Sequence, residues 1–136
     1  MIPAWTSTTT MIEVGRGDVV LIAFPFISEG QVTRKRRSAV VVQADRYNRR
    51  RAAVIIAAIT STREHKNLPC KVLVKKESPD GRQANLRRLD SVVDCRTLAT
   101  VPRSEIARRL GRFPSDIVGQ IDRALQDALG IAQSSR

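Results

Sequence analysis

Asp18-Val-Val-Leu-Ile-Ala-Phe24, Ser38-Ala-Val-Val-Val-Gln43 and Ala52-Ala-Val-Ile-Ile-Ala-Ala-Ile59 are three apolar runs set close together in a chain of 136 residues. Short runs rich in Val and Ile, bounded by Gly, Pro and charged residues, are the pattern of strands in a small sheet or barrel. Gly17 precedes the first run as a tight opening turn, and Phe24-Pro25-Phe26 ends it. A polar loop from Ser28 to Thr33 then leads into the basic cluster Arg34-Lys35-Arg36-Arg37, and the third run breaks into Thr60-Ser61-Thr62. The expectation is a rigid sheet carrying one loop of guanidinium groups and another of hydroxyls, which is where such scaffolds place their function.

Outward from this stretch, Asp45–Arg51 reads as a connection or a single helical turn, and Arg63 to Asn67 as a charged loop. Pro69 precedes a short strand, Cys70–Val74; Ser78-Pro-Asp-Gly81 signals a turn, and a last strand spans Ser91 to Val101. Ser104–Leu110 fits a short helix ended by Gly111. From Pro114 or Ser115, Ile117, Val118, Ile121, Ala124, Leu125, Ala128 and Leu129 recur at helical spacing, so this helix should pack on the sheet or across a dimer interface. Residues 15–131 form one domain in this reading, with tails at 1–14 and 132–136.

Hydrophobic content of 42% and charged content of 27% fit a soluble globular protein. The net charge is +11 and unevenly spread: residues 31–51 carry eight Arg or Lys against one acid, Asp45, while 115–131 carry one Arg against three Asp. A concentrated basic face is expected of a nucleic-acid binder, the plain alternatives being a solubilising surface or a patch awaiting an acidic protein. Aromatic residues make up only 4%, so no stacking platform decides between them. No secretory leader and no transmembrane run is read from the N-terminus or elsewhere, which implies a cytoplasmic protein without membrane contact. Cys70 and Cys95 lack metal-ligand spacing and are expected to be buried free thiols. His65, the one histidine, sits in a polar loop and reads as solvated. Arg16-Gly17-Asp18 is not read as an adhesion motif, because Asp18 leads straight into a strand.

Arg16-Gly17-Asp18-Val19-Val20 with Phe24-Pro25, Lys35 to Gln43 followed by Asn48, Ile59-Thr60-Ser61, Asp90-Ser-Val-Val93, Leu110-Gly-Arg112 and Leu129-Gly-Ile131 occur in a fixed order. This ordered set resembles the MazF/PemK (Kid) family, the endoribonuclease toxins of bacterial toxin–antitoxin pairs, over roughly residues 16–131. The resemblance implies an SH3-like β-barrel with helices, of the CcdB/MazF type with a C-terminal helix, assembled as a homodimer. It also implies sequence-selective cleavage of single-stranded RNA without a cofactor or metal, leaving a 2′,3′-cyclic phosphate and a 5′-hydroxyl, and a cognate antitoxin that covers the basic groove.

The chemistry asks for few groups, because RNA carries its own nucleophile in the 2′-hydroxyl. An Arg is always charged at neutral pH and grips two phosphate oxygens at once. The family's Arg and Thr correspond to Arg37, holding the scissile phosphate, and Thr60, orienting it or the 2′-hydroxyl. The plain alternatives are a solvated charge for Arg37 and a strand-ending turn residue for Thr60. Arg34, Lys35, Arg36, Ser61, Arg63 and Arg96 are the expected RNA-binding residues. Ser38 and Ala58 replace two common prolines of the family, and Asn85-Leu86 replaces Gly-Leu. Asp94-Cys95-Arg96 reverses the charges of the Kid-type Arg-Cys-Asp, so Asp94 is either a general base beside Arg96 or half of a structural ion pair. Two rivals follow: a gyrase inhibitor of the CcdB type, whose C-terminal Trp-Gly-Ile is missing here, and a module that binds RNA or an antitoxin but does not cut.

Overall fold

A computed structural model of the chain describes residues 12–49, 52–61, 68–75 and 91–132. The expectations for Arg63, His65, the Ser78–Gly81 turn and Asn85 lie outside these residues. The elements are β1 (Asp18–Ser28), β2 (Gln31–Val41), α1 (Asp45–Asn48), β3 (Ala53–Ser61), β4 (Lys71–Val74), β5 (Ser91–Pro102), a 3-10 turn (Arg103–Glu105), β6 (Ile106–Arg112) and α2 (Ser115–Leu129). They form one antiparallel six-stranded sheet in the order β4-β5-β3-β2-β1-β6, with α2 against it. The order is linear, with β4 and β6 as edges, so the expected barrel describes its curl only loosely.

Alternation along the strands splits the core in two. Val19, Val40, Ala57, Ile59, Val93 and Cys95 point to one side and meet Phe113, Ile117, Ile121 and Ala124 of the α2 region. The next residues in each strand, Val20, Ala39, Ile56 and Ala58, point to the other side and pack with Ile22, Phe24, Val54, Val101 and Ile106. The continuous apolar runs thus have a partner on each face of the sheet, as such runs require. Both cysteines are free and buried.

Two expectations are corrected. The polar segment after Phe24 is not a loop: β1 continues through Pro25 to Ser28, and Glu29-Gly30, both at positive φ (51° and 76°), make the two-residue turn into β2. Positive φ at both central residues is the turn whose twist matches a hairpin. Pro25 is tolerated because β6 pairs with β1 only as far as Ile22, leaving the proline's side of the strand unpaired. The second correction concerns Ser104–Leu110, which is a 3-10 turn followed by strand β6, not a helix. Register shifts between Val19 and Val20, and between Leu21 and Ile22, disturb the β1–β6 ladder. They break the two-residue alternation in β6, and the Ile106–Leu110 spacing then mimics a helix.

The opening of β1 is held by side-chain polar bonds. Asp18, 4% exposed, accepts from the Gly15 backbone N–H (2.7 Å) and from Arg109 Nε (3.2 Å). Burial at that level also disposes of an adhesion role. Arg16 ties three elements together: its N–H donates to Asp45 Oδ1 (2.7 Å), its Nε to the Val42 carbonyl (2.9 Å), and Nη2 pairs with Asp122 of α2 (2.6 Å). The Arg16 N–H, helped by Asn48 and the nearby Arg112 and Arg49, holds the Asp45 carboxyl below its ordinary value.

Gly17 has φ +93°, and a Cβ there would lie 3.0 Å from Val118 Cγ2. Gly17→Ala is therefore expected to cost about 1–3 kcal/mol through backbone strain and crowding of α2. Thermal unfolding reads this as a lowered Tm, and an unchanged Tm would refute it. A second expectation concerns Cys95. Burial, then the charge of Asp94, pushes its thiol up to about 12 from the ordinary 9.0. The unfolded chain ionises this thiol first, so its effect on stability is flat at lower pH and becomes a loss as pH rises from 9.0 towards about 12. Denaturant titrations at neutral and alkaline pH should show a steeper alkaline loss in the wild type than in Cys95→Ala.

Candidate functional site

The β2–β3 ladder is short: Val41↔Ile56, Val40↔Ala57 and Ala39↔Ala58, after which the strands part. The residues one alternation further on are Arg37 in β2 and Thr60 in β3, and both keep the face of Ala39 and Ala58. Across β3 and β5, Ala58 is opposite Asp94 and Thr60 is opposite Val92, so Asp94 lies on that face as well. The three expected catalytic residues, far apart in sequence, thus share one face at one end of the sheet. Arg37 stands opposite Ile22 and Lys35 opposite Phe24, which adds Lys35 to this side.

The other cations are distributed differently. Arg34 and Arg36 are opposite Pro25 and Ala23, on the reverse face of the hairpin, and Arg34 pairs with Glu105 at 3.5 Å. Ser61 follows Ile59 to the α2 side of the sheet, away from Thr60. The Arg34–Arg37 cluster is therefore a two-faced ribbon in place of the expected loop. Beyond Ile22 only β2 pairs with β1, and at its tip the Ile27–Val32 pair is 80% and 61% exposed.

Asp94 sits at a break in β5. Ala57 pairs with Leu98 but its neighbour Ala58 pairs with Asp94, so Cys95, Arg96 and Thr97 are looped out of the β3 ladder. The Asp94 carboxylate fastens this bulge: Oδ1 accepts from the Arg96 backbone N–H (3.0 Å) and pairs with Arg96 Nε (3.6 Å), and Oδ2 accepts from Thr97 Oγ1 (3.3 Å). The arrangement orients Arg96, whose side chain is half exposed, and leaves the carboxylate on the face of Thr60.

One cation on this face was missed. Lys71 opens β4 directly opposite Asp94, and Leu73 follows it opposite Val92. Val72 and Val74 are buried toward α2, so alternation within Cys70–Val74 already sends Lys71 and Leu73 to the other side; that signal was available in the sequence. A cavity of about 420 Å³ lies elsewhere, between Arg16, Arg112 and the start of α2, and takes in none of the expected site residues. Among the described residues, no group of three or more His, Cys, Asp or Glu gathers as a metal site, and no helix is long and apolar enough to cross a membrane.

Known proteins match this chain in sequence and in fold. Endoribonuclease MazF6 of Mycobacterium tuberculosis is 32% identical over 105 residues, covering 75% of this chain and 85% of that protein. Endoribonuclease MazF2 of Mycobacterium bovis matches over the same extent. Among solved structures, a MazF from Deinococcus radiodurans superposes with a TM-score of 0.67 at 23% identity, over 88% of this chain and 99% of its own. A Mycobacterial endoribonuclease in complex with its cognate antitoxin gives 0.67 at 21%, over 89% and 99%. The family model for PemK-like, MazF-like toxins matches residues 15–129, and with that span and those relatives the chain belongs to the PemK-like, MazF-like toxins of type II toxin–antitoxin systems.

Proposed function

We propose that this protein is the toxin of its pair, an endoribonuclease that cuts single-stranded RNA at selected sequences in the cytoplasm. In this reading the cut is a transesterification that uses no metal. The 2′-hydroxyl loses its proton, its oxygen bonds to phosphorus, and the P–O5′ bond breaks as the 5′-oxygen takes up a proton. The products are a 2′,3′-cyclic phosphate and a 5′-hydroxyl. The observation that carries the reading is the strand register, which puts Arg37, Thr60 and Asp94 on one face although they come from three strands. Arg37 holds the phosphate and offsets its added charge, Thr60 orients it through a hydroxyl, and Asp94 receives the 2′-hydroxyl proton. Lys35 and Arg96 add positive field along the substrate, and Arg34 and Arg36 do so on the reverse face of the hairpin.

The same reading includes a homodimer and an SH3-like barrel, the latter supported by the two cores on either side of the curled sheet. It also includes an acidic antitoxin, for which the net charge of +11 is a ready partner. The hydrogen bonds that engage Asp94 favour a second reading in one respect, since a carboxylate fully used in fastening a bulge would be a positioning residue.

Purified protein incubated in EDTA with mixed-sequence single-stranded RNA should give discrete cuts ending in cyclic phosphates. Arg37→Ala should lower kcat by about 10²–10³, the loss typical of one positioned donor to a charged transition state. Asp94→Asn keeps an acceptor for the bulge but removes the base, so it should cost about 10²-fold or more. Full activity in Asp94→Asn, with Arg37→Ala dead, would reduce Asp94 to a positioning role. Intact RNA with the wild type would overturn the endoribonuclease reading.

A further inference from the structure

We infer that Lys71 is a second phosphate-binding cation of this site, gripping the backbone of single-stranded RNA on the far side of Asp94 from Arg37. The inference rests on the endoribonuclease reading and names a contact within it. Lys71 stands directly opposite Asp94 in the β4–β5 ladder, and Asp94 stands opposite Ala58 in the β5–β3 ladder. One row therefore runs Lys71, Asp94, Ala58, Ala39 across four strands, with Thr60 and Arg37 in the next row on the same face. At the usual spacing of about 4.8 Å between strands, Lys71 lies about 10 Å to one side of β3, with Arg37 on the opposite side. Two long cationic side chains thus flank Thr60 from both directions, a span suited to successive backbone phosphates.

The obvious use for a Lys beside an Asp is to neutralise it, and that use is already taken. Asp94 pairs with Arg96 and accepts from Thr97, whereas among the described residues Lys71 forms no ion pair. Its strand is an edge of the sheet among the described residues, and Lys71 is only half-buried. A compact ammonium on a flexible stem suits a backbone phosphate contact, with less demand on geometry than a bidentate Arg.

The test uses the full chain, a fluorescent single-stranded RNA containing the mapped cut site, and binding and cleavage measured over a salt series. For single strands each phosphate contact contributes about 0.7 to the slope of log affinity against log salt. Lys71→Ala should lower that slope by about 0.7 and raise KM severalfold while kcat stays within a few-fold; Lys71→Arg should restore both. Arg123→Ala, which removes an equal charge from exposed α2, should change neither. Lys71→Gln keeps the length of the side chain and guards against a folding defect, with matched melting curves as the check. An unchanged slope and KM in Lys71→Ala and Lys71→Gln, with a wild type that cuts, would overturn the inference and leave the enzyme reading standing. A wild type that binds RNA without cutting would overturn the enzyme reading, and the slope would still decide Lys71. A wild type that neither binds nor cuts would overturn both.

Discussion

Ala39 and Ala58 face each other at the last rung of the β2–β3 ladder, both fully buried, and the remainder of the site depends on that contact. Small side chains let the two strands close against the core beneath Val20 and Ile56. Immediately past this rung the strands separate, and the next residues on the same face are a guanidinium and a hydroxyl. The polar groups are therefore held by a close-packed apolar base, whose burial is worth roughly 25 cal/mol per Å² removed from water. A site mounted on strands anchored in this way is positioned more precisely than one carried on a loop.

The same economy appears nearby, at the start of β1. Arg16, Asp18 and Gly17 are adjacent, yet each serves a different partner: Arg16 reaches α1 and α2, Asp18 is bonded to Gly15 and Arg109, and Gly17 lets α2 approach. What reads as a short charged motif is the junction that fixes the helix against one face of the sheet. With α2 and the sheet sealing one core, the second core lies on the opposite face, and Arg37, Thr60 and Asp94 stand at its margin.

Strands β3, β4 and β5, the single turn α1 and helix α2 were legible because each has one clear periodicity or an apolar run bounded by breakers. The distal half of the hairpin was not, since Pro25 and the polar residues 28–33 are the usual marks of a loop. They are compatible with a strand because, among the described residues, β6 pairs with β1 only as far as Ile22. Likewise Ile106 to Leu110 suggested a helix because two register shifts erased the strand's own period. The ordered resemblance is what singles out Arg37 and Thr60 as expected site residues. Their common face could be derived only from register, which depends on long-range pairing. The Asp94 bulge was equally out of reach: a spacing of two predicted a shared face with Arg96, whereas the chain loops out three residues between consecutive rungs.

The hairpin has a consequence for motion along a single strand. Val40 and Val41 lie in the middle of a six-stranded sheet, while Val32 and Thr33, at the far end of the same β2, have one partner strand and open water. A two-stranded ribbon alone is marginally stable in water. Opening free energies should therefore climb steadily from the tip of β2 to its root, with the Arg34–Arg37 segment in between. The cations sit on a graded spring, stiff toward the root of β2 in the middle of the sheet and compliant toward the two-stranded tip.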